Sequence, residues 1–173
     1  HGVLVGTASR LMSVTADIRA SYRGPGRVVA RLLGQGRREG FALNILLFAC
    51  IMMFIAQAPY QAREAYFDPD VPLMARMYWS AFLWIFLVPL LLYGFAAFMH
   101  GLALLAGRNI TGYGVRLSLF WALLASSPMF LLLGLIAAFI GPGAGLQLVG
   151  ILWLANILWF WIAGMRAAES VEL

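Results

Sequence analysis

The sequence predicts an all-α, polytopic integral membrane protein: a helical bundle of four spans, one broken at Pro128, with an amphipathic interfacial helix at its N-terminal side. Hydrophobic residues make up 63% of the 173 residues and charged residues only 11%, whereas a soluble domain carries about 25% charge. Four apolar stretches also approach or exceed the roughly 20 residues that a bilayer crossing needs. They lie at about 40–58, 78–105, 114–140 and 146–164, so residues 39–173 are expected to form one transmembrane bundle.

The chain before the first span divides into two parts. Residues 1–11 contain no apolar region of signal-peptide length, and Met12 with the residues after it resembles a natural start. Residues 1–11 are therefore interpreted as a cloning remnant or an extended start and are left out of the fold prediction. Residues 12–38 are predicted to form a cytoplasmic, amphipathic segment with a break at Gly24-Pro25-Gly26.

Helical spacing resumes after this break. One face of the predicted helix is apolar and contains Val28, Val29, Leu32 and Leu33. Two arrangements are compatible with this pattern: a helix in the membrane interface with its Arg side chains towards the headgroups, or a helix packed under the bundle with a solvated Arg face. The candidate contacts with lipid headgroups or with a partner are Arg27, Arg31, Arg37 and Arg38.

The first two spans each contain a feature expected to shape the bundle. The first span is predicted to end at Pro59 and to be followed by a loop over 60–77, and its Asn44 is a candidate for a bond to another helix. In the second span, Pro89 predicts a kink. Ala97 and Gly101 in the same span form a small-residue pair that favours close helix approach.

The third span is interrupted at its middle by Ser126-Ser127-Pro128. Because proline has no N–H, the carbonyl of Leu124 loses its helical partner, and the neighbouring serines are placed to help satisfy it. The stretch is either one kinked crossing or two half-spans. Two crossings would each have only about 13 residues, well short of the ~20 required, so a kink inside one crossing is predicted.

The distribution of charge supports the same topology. All basic residues are Arg, and ten of the twelve flank the N-terminal side of the first span, the 107–116 turn or the C-terminal tail. Only Arg63 and Arg76 lie on the other side. The positive-inside rule therefore predicts that both termini are cytoplasmic. Arg108 and Arg116 also argue for a cytoplasmic turn, where the Asn109-Ile110-Thr111 acceptor pattern carries no glycan.

No constellation of residues indicates catalysis, a cofactor or a metal site. Cys50 is the single cysteine and is interpreted as a packing residue. His100 has no acidic neighbour in its helix, so it is weighted as a helix–helix hydrogen bonder over a catalyst. The net charge of +5 is a weak signal for nucleic acid, which is not expected as a partner. The intramembrane polar and kink residues singled out are Asn44, Pro89, His100, Ser127, Pro128 and Asn156.

Several motifs together resemble the bacterial branch of the Yip (Ypt/Rab-interacting protein) membrane family, from about Tyr22 to Ala168. They are the Arg23-Gly-Pro-Gly-Arg27 segment leading to Arg37-Arg38, the span that ends in His100-Gly-Leu-Ala-Leu-Leu-Ala-Gly107, the Phe120-Trp-Ala…Ser127-Pro128 span and the Gly164-Met-Arg166-Ala-Ala ending. Members usually have five spans, whereas here the sequence stops near Arg166, in agreement with cytoplasmic termini. The resemblance implies Rab-type GTPase binding for eukaryotic relatives and transfers no catalytic residue.

These observations predict a non-enzymatic membrane scaffold or accessory subunit. Its expected partners are membrane lipids and another membrane protein, a complex or a second copy of itself. The alternative is a small transporter or channel subunit. It is based on the kinks that Pro89 and Pro128 predict in two spans and on the polar residues that lie within the apolar spans. A membrane enzyme centred on His100 is a weaker third hypothesis.

Overall fold

A computed structural model describes residues 13–172 of the chain, with side chains to Val171, and within this range every regular element is helical. The first helix, α1, covers 13–21. The others are α2 (Pro25–Gly34), α3 (Glu39–Phe67), α4 (Leu73–Phe82), a π-helical turn (Leu83–Leu87), α5 (Val88–Leu105), α6 (Gly112–Ala125), α7 (Ser127–Phe139) and α8 (Ala144–Glu172). The predicted all-helical class is confirmed for this part of the chain.

Three continuous helices are long and apolar enough to cross a membrane: Glu39–Phe67, Leu73–Leu105 and Ala144–Val171. The pair formed by α6 and α7 passes the same test together, with a bend of 44° between its halves. The protein therefore has three to four candidate spans, and the fourth depends on α6 and α7 acting as one.

The bundle is built around α6. Its residues are buried almost continuously, and the largest side chains in this core are Phe120 and Trp121. Helices α3, α5 and α8 surround α6, while α7 packs against α3 and α8. Helix α2 packs on α8 and α6, so its apolar face is covered by protein. The Arg27 and Arg31 side chains on the opposite face of α2 are exposed, an arrangement compatible with either solvent or lipid headgroups around them.

The break between α6 and α7 falls at Ser126, as the Ser126-Ser127-Pro128 motif predicts. Pro128 lies in the first turn of α7, where its missing N–H leaves no helical bond unmade. The hydroxyl of Ser126 donates to the carbonyl of Leu123 at 2.9 Å. The serine therefore assists the break as expected, although through Leu123 and not through Leu124.

The predicted loop over 60–77 is wrong. Helix α3 continues through Pro59 to Phe67, and the loop after it is short because α4 begins at Leu73. Proline removes one N–H from a helix and can bend it without ending it. Helix α8 also extends past the predicted span at 146–164, to Glu172. The helices are therefore longer than the apolar stretches that revealed them.

The second span accommodates Pro89 with a π-helical turn just before it. The N–H of Val88 donates to the carbonyl of Leu83, five residues back. This wider turn shifts the bonding register ahead of the proline, which is a recognised way to absorb an irregularity in a helix. Pro89 itself is buried. The predicted distortion at this position is therefore present, in the form of a widened turn.

The small-residue pair in the same span is not used inside the chain. Ala97 is exposed, and a Cβ added at Gly101 would meet no atom within 4 Å. A close approach between helices occurs instead between α7 and α3, where a Cβ added at Gly134 would lie 2.0 Å from the carbonyl oxygen of Ala56. Cys50 is fully buried in the core, as expected of a packing residue.

An arginine-lined groove as the candidate functional site

Helix α1 is docked on the bundle by a buried hydrogen-bond chain. The indole Nε1 of Trp121 in α6 donates to the hydroxyl of Ser21 at 2.9 Å, and that hydroxyl donates to the carbonyl of Asp17 at 2.9 Å. Ser21 is fully buried and Trp121 is 2% exposed. Because a buried indole N–H left unpaired is costly, this chain fixes the position of α1 against α6.

The turn after α1 makes a second attachment, to α8. The ring of Tyr22 packs edge-on against Phe160, with ring centroids 5.0 Å apart. Burial raises the pKa of the Tyr22 phenol, and a side-chain hydrogen bond with Asn156 partly opposes this rise. The phenol is therefore neutral at physiological pH. Asn156, the predicted polar member of the last span, therefore lies at this contact, and its Nδ2 atom is buried without a hydrogen-bond partner among the described residues.

Helix α2 continues the attachment along α8 through glycine contacts. A Cβ added at Gly26 would lie 3.1 Å from the carbonyl oxygen of Ala163, and one added at Gly164 would lie 3.1 Å from Ser118 and 3.3 Å from Val29. Helices α2, α6 and α8 therefore meet at close range. Together with the Trp121 bond, these contacts make α1 and α2 a fixed part of the bundle surface.

Between α1 and α2 lies a groove of about 440 Å³. Four of its lining residues are Arg19 and Arg23 of the α1 side and Arg27 and Arg31 of α2, and small residues separate them. We call this groove, with its four Arg residues, the arginine groove. Its only ion pair within the described chain joins Arg31 to Asp17 at 2.5 Å. Within the described chain Arg19, Arg23 and Arg27 form no ion pair, and the Arg27 guanidinium donates to the Arg23 carbonyl at 3.5 Å.

Of the four Arg residues predicted from the sequence to contact lipid headgroups or a partner, two line this groove and two do not. Arg27 and Arg31 line it, whereas Arg37 and Arg38 lie exposed in the connection between α2 and α3. Sequence reasoning missed Arg19 and Arg23. The sequence does contain a pattern that indicates them, because the four Arg residues of the groove are spaced four positions apart across the Gly24-Pro25-Gly26 break. The break itself obscured the continuity of the pattern.

A second polar cluster lies where α5 meets α6. Arg116 pairs with Glu39 at 2.5 Å, joining α6 to the start of α3. The His100 ring lies close to Gly112, since its Cδ2 would be 3.5 Å from a Cβ added there. The Nδ1 atom of His100 is buried without a hydrogen-bond partner. Arg116 Nη1 would lie 3.3 Å from the same Cβ, so the imidazole and this guanidinium border one glycine.

A third feature is an open cavity of about 440 Å³ between α3, α7 and α8. Its polar lining consists of Gln57, Tyr60 and Glu64, which share one face of α3. Its apolar wall includes Phe130, whose ring packs on Trp153. Glu64 forms no ion pair within the described part of the chain, so it offers the cavity an unneutralised carboxylate.

The remaining polar residues singled out from the sequence do not converge. Asn44 is exposed on α3 and makes no side-chain bond to another described residue, so its expected interhelical bond is absent there. Ser80 faces a groove between α3 and α4, while Ser127 is buried beside the α6–α7 break. Pro128 borders a small groove with α1. These positions do not line one continuous path.

Within residues 13–172, no group of three or more His, Cys, Asp or Glu side chains is arranged to hold a metal ion. The arginine groove is accordingly the strongest concentration of one chemistry on this surface. No family model, no curated protein and no solved structure matches the chain. No comparison therefore indicates a function for the chain.

Proposed function

We propose that this chain is a non-enzymatic integral membrane scaffold or accessory subunit of the Yip-like type, which associates with another membrane protein and organises lipid. The observation that supports it best is the arginine groove, a rigidly docked cationic surface on a bundle of apolar helices. Anionic headgroups and acidic surfaces of partner proteins are both attracted to such clusters beside membrane spans. The proposed location is the inner membrane of a bacterium, with both termini cytoplasmic.

The long exposed helix formed by α4, the π-helical turn and α5 also favours association. Large apolar side chains face outwards along its length, among them Phe82, Phe86, Leu90 and Phe98. In a bilayer this face contacts lipid tails or another membrane protein. Few intramolecular contacts compete for it, so a partner helix would find it accessible.

Gentle extraction from native membranes tests the proposal. We expect the protein to elute with a defined protein or lipid companion, or as a defined oligomer. Mass spectrometry of the purified species identifies the companion. A strictly monomeric species without bound protein or lipid contradicts the proposal.

A small transporter or channel subunit is the second candidate, and the cavity beside Glu64 is the observation that favours it. Small-molecule pockets are mostly apolar with a few polar or charged groups that orient the ligand, and a carboxylate attracts a cationic ligand. Flux of a lipophilic cation such as tetraphenylphosphonium into proteoliposomes would support transport if Glu64→Gln abolished it and Glu169→Gln did not. Flux equal to that of empty liposomes, or unchanged in both variants, would remove this candidate.

A further inference from the structure

The geometry points to a specific ligand for the arginine groove: the phosphate of an anionic phospholipid, with an acyl chain lying in the neighbouring groove at Pro128. This inference rests on the proposed membrane function and deepens it. It assigns a chemical class to the groove and separates its four Arg residues from the other Arg residues of the N-terminal region.

The charge of the groove favours a phosphate. Arg19, Arg23, Arg27 and Arg31 line one space of about 440 Å³, and within the described chain only Arg31 of these four is in an ion pair, with Asp17. Guanidinium groups bind phosphate oxygens in a bidentate manner and remain charged at all physiological pH values. The space therefore matches an anion with several acceptor oxygens better than it matches a single carboxylate.

The groove lies directly beside two candidate membrane helices. Ser21 bonds to Trp121 of α6 and Tyr22 packs on Phe160 of α8, which holds the groove against helices apolar enough to cross a membrane. Cationic side chains beside membrane spans attract anionic headgroups. A phospholipid of the surrounding bilayer can therefore reach the groove, and its phosphate would neutralise the Arg side chains.

A second, neighbouring groove favours a lipid over a free phosphate as the ligand. A second groove of about 340 Å³ adjoins the first and shares Arg19 with it. Its lining is mostly apolar and includes Ile18, Tyr22 and Pro128. An amphiphile fits both grooves at once, with its phosphate among the Arg residues and a chain against Pro128. A free phosphate would use only the first.

The site is also preorganised. The Trp121–Ser21 bond and the close contacts of Gly26 and Gly164 hold α1 and α2 before any ligand arrives. Little ordering of the backbone is then needed on binding, which favours affinity. Arg37 and Arg38 lie outside both grooves and lack this support.

The test compares two variants with the same loss of charge. Full-length protein with Arg19→Gln and Arg23→Gln is compared with protein carrying Arg37→Gln and Arg38→Gln, each purified in a neutral detergent. Native mass spectrometry measures retention of phosphatidylglycerol, with phosphatidylcholine as the uncharged lipid. We expect at least about tenfold weaker phosphatidylglycerol retention in the groove variant and wild-type retention in the control. Thermal unfolding of both variants verifies that the fold is intact.

Two results would overturn the inference. Equal losses in both variants would show that net charge alone attracts the lipid. Inorganic phosphate that binds the wild-type groove as tightly as phosphatidylglycerol would show that the acyl chain contributes nothing. A third readout separates this inference from the proposed function: if the companion protein still elutes with the groove variant while lipid retention is unchanged, the scaffold proposal stands and the lipid site does not.

Discussion

Individual side chains determine how the N-terminal helices are attached. The indole of Trp121 and the hydroxyl of Ser21 are both buried and satisfy each other across 100 positions of sequence. Without Ser21 the indole N–H of Trp121 would be a buried, unpaired donor, and such atoms destabilise a fold more than a made bond stabilises it. This pair is therefore the most sensitive contact of the candidate site.

Replacement of Ser21 by Ala is expected to lower the free energy of unfolding by about 1–3 kcal/mol, because it leaves the Trp121 N–H buried and unpaired. Denaturant titration of the detergent-solubilised protein measures the change. Ser170→Ala is the matched control, since the Ser170 hydroxyl donates to the Ala167 carbonyl at an exposed position. Equal small effects in both variants would show that the Trp121 bond does not anchor α1.

The close crossing of α3 and α7 requires a residue without a side chain at position 134. Gly134→Ala places a Cβ at 2.0 Å from the Ala56 carbonyl oxygen, so a destabilisation of about 1–3 kcal/mol is expected from the forced separation of the two helices. Gly94→Ala is the control, because nothing lies within 4 Å of its added Cβ. That change should be neutral or stabilise by up to about 1 kcal/mol. A neutral Gly134→Ala variant would contradict this crossing geometry.

At the scale of elements, the ends of helices are fixed by side chains from other helices. Arg63 of α3 donates to the carbonyl of Ala137 at 3.2 Å near the end of α7, and its guanidinium lies against Gly141, which has a φ of +89°. A cation at the C-terminus of a helix also interacts favourably with the helix dipole. The turn from α7 to α8 is consequently held by a residue more than seventy positions earlier.

Arg63→Gln should loosen this turn while leaving the remaining helices intact. We expect faster hydrogen exchange at the amides of residues 140–141, which donate to the Ile136 carbonyl, and a loss of about 0.5–1.5 kcal/mol in stability. Arg76→Gln provides the comparison. Its ion pair joins Asp68 beside the α3–α4 connection, so its exchange effect should stay near residues 68–76. Unchanged exchange at 140–141 in Arg63→Gln would refute the capping role.

At the scale of the whole molecule, the open question is whether α6 and α7 cross as one span. Their 44° bend and the nearly complete burial of α6 are compatible with a broken span or a re-entrant pair. The Arg distribution favours the broken span, because only an even number of crossings leaves the N-terminal Arg residues and Arg166 on one side.

A reporter fused to the C-terminus checks this topology directly. We expect activity from a reporter that works only in the cytoplasm and none from one that works only outside it. A second fusion inserted between Pro142 and Ala144 should give the opposite result, since that turn is expected outside. The same sign at both fusion points would establish that α8 does not cross the membrane.

The sequence by itself determined the all-helical class, the apolar spans and the break beside Pro128. Those features depend on local properties, namely hydropathy over about 20 residues and the absence of a proline N–H. It failed at Pro59, where α3 continues as a helix to Phe67 and packs against α7. Half of the groove was also foreseen, through Arg27 and Arg31.

Tertiary structure alone decided which Arg residues share a groove. Arg19 and Arg23 join Arg27 and Arg31 because Trp121, Phe160 and Gly164 hold α1 and α2 side by side on α6 and α8. Those contacts connect positions about a hundred residues or more apart. No local pattern encodes such a pairing, since burial and hydrogen-bond geometry at a distance depend on the packing of the complete bundle.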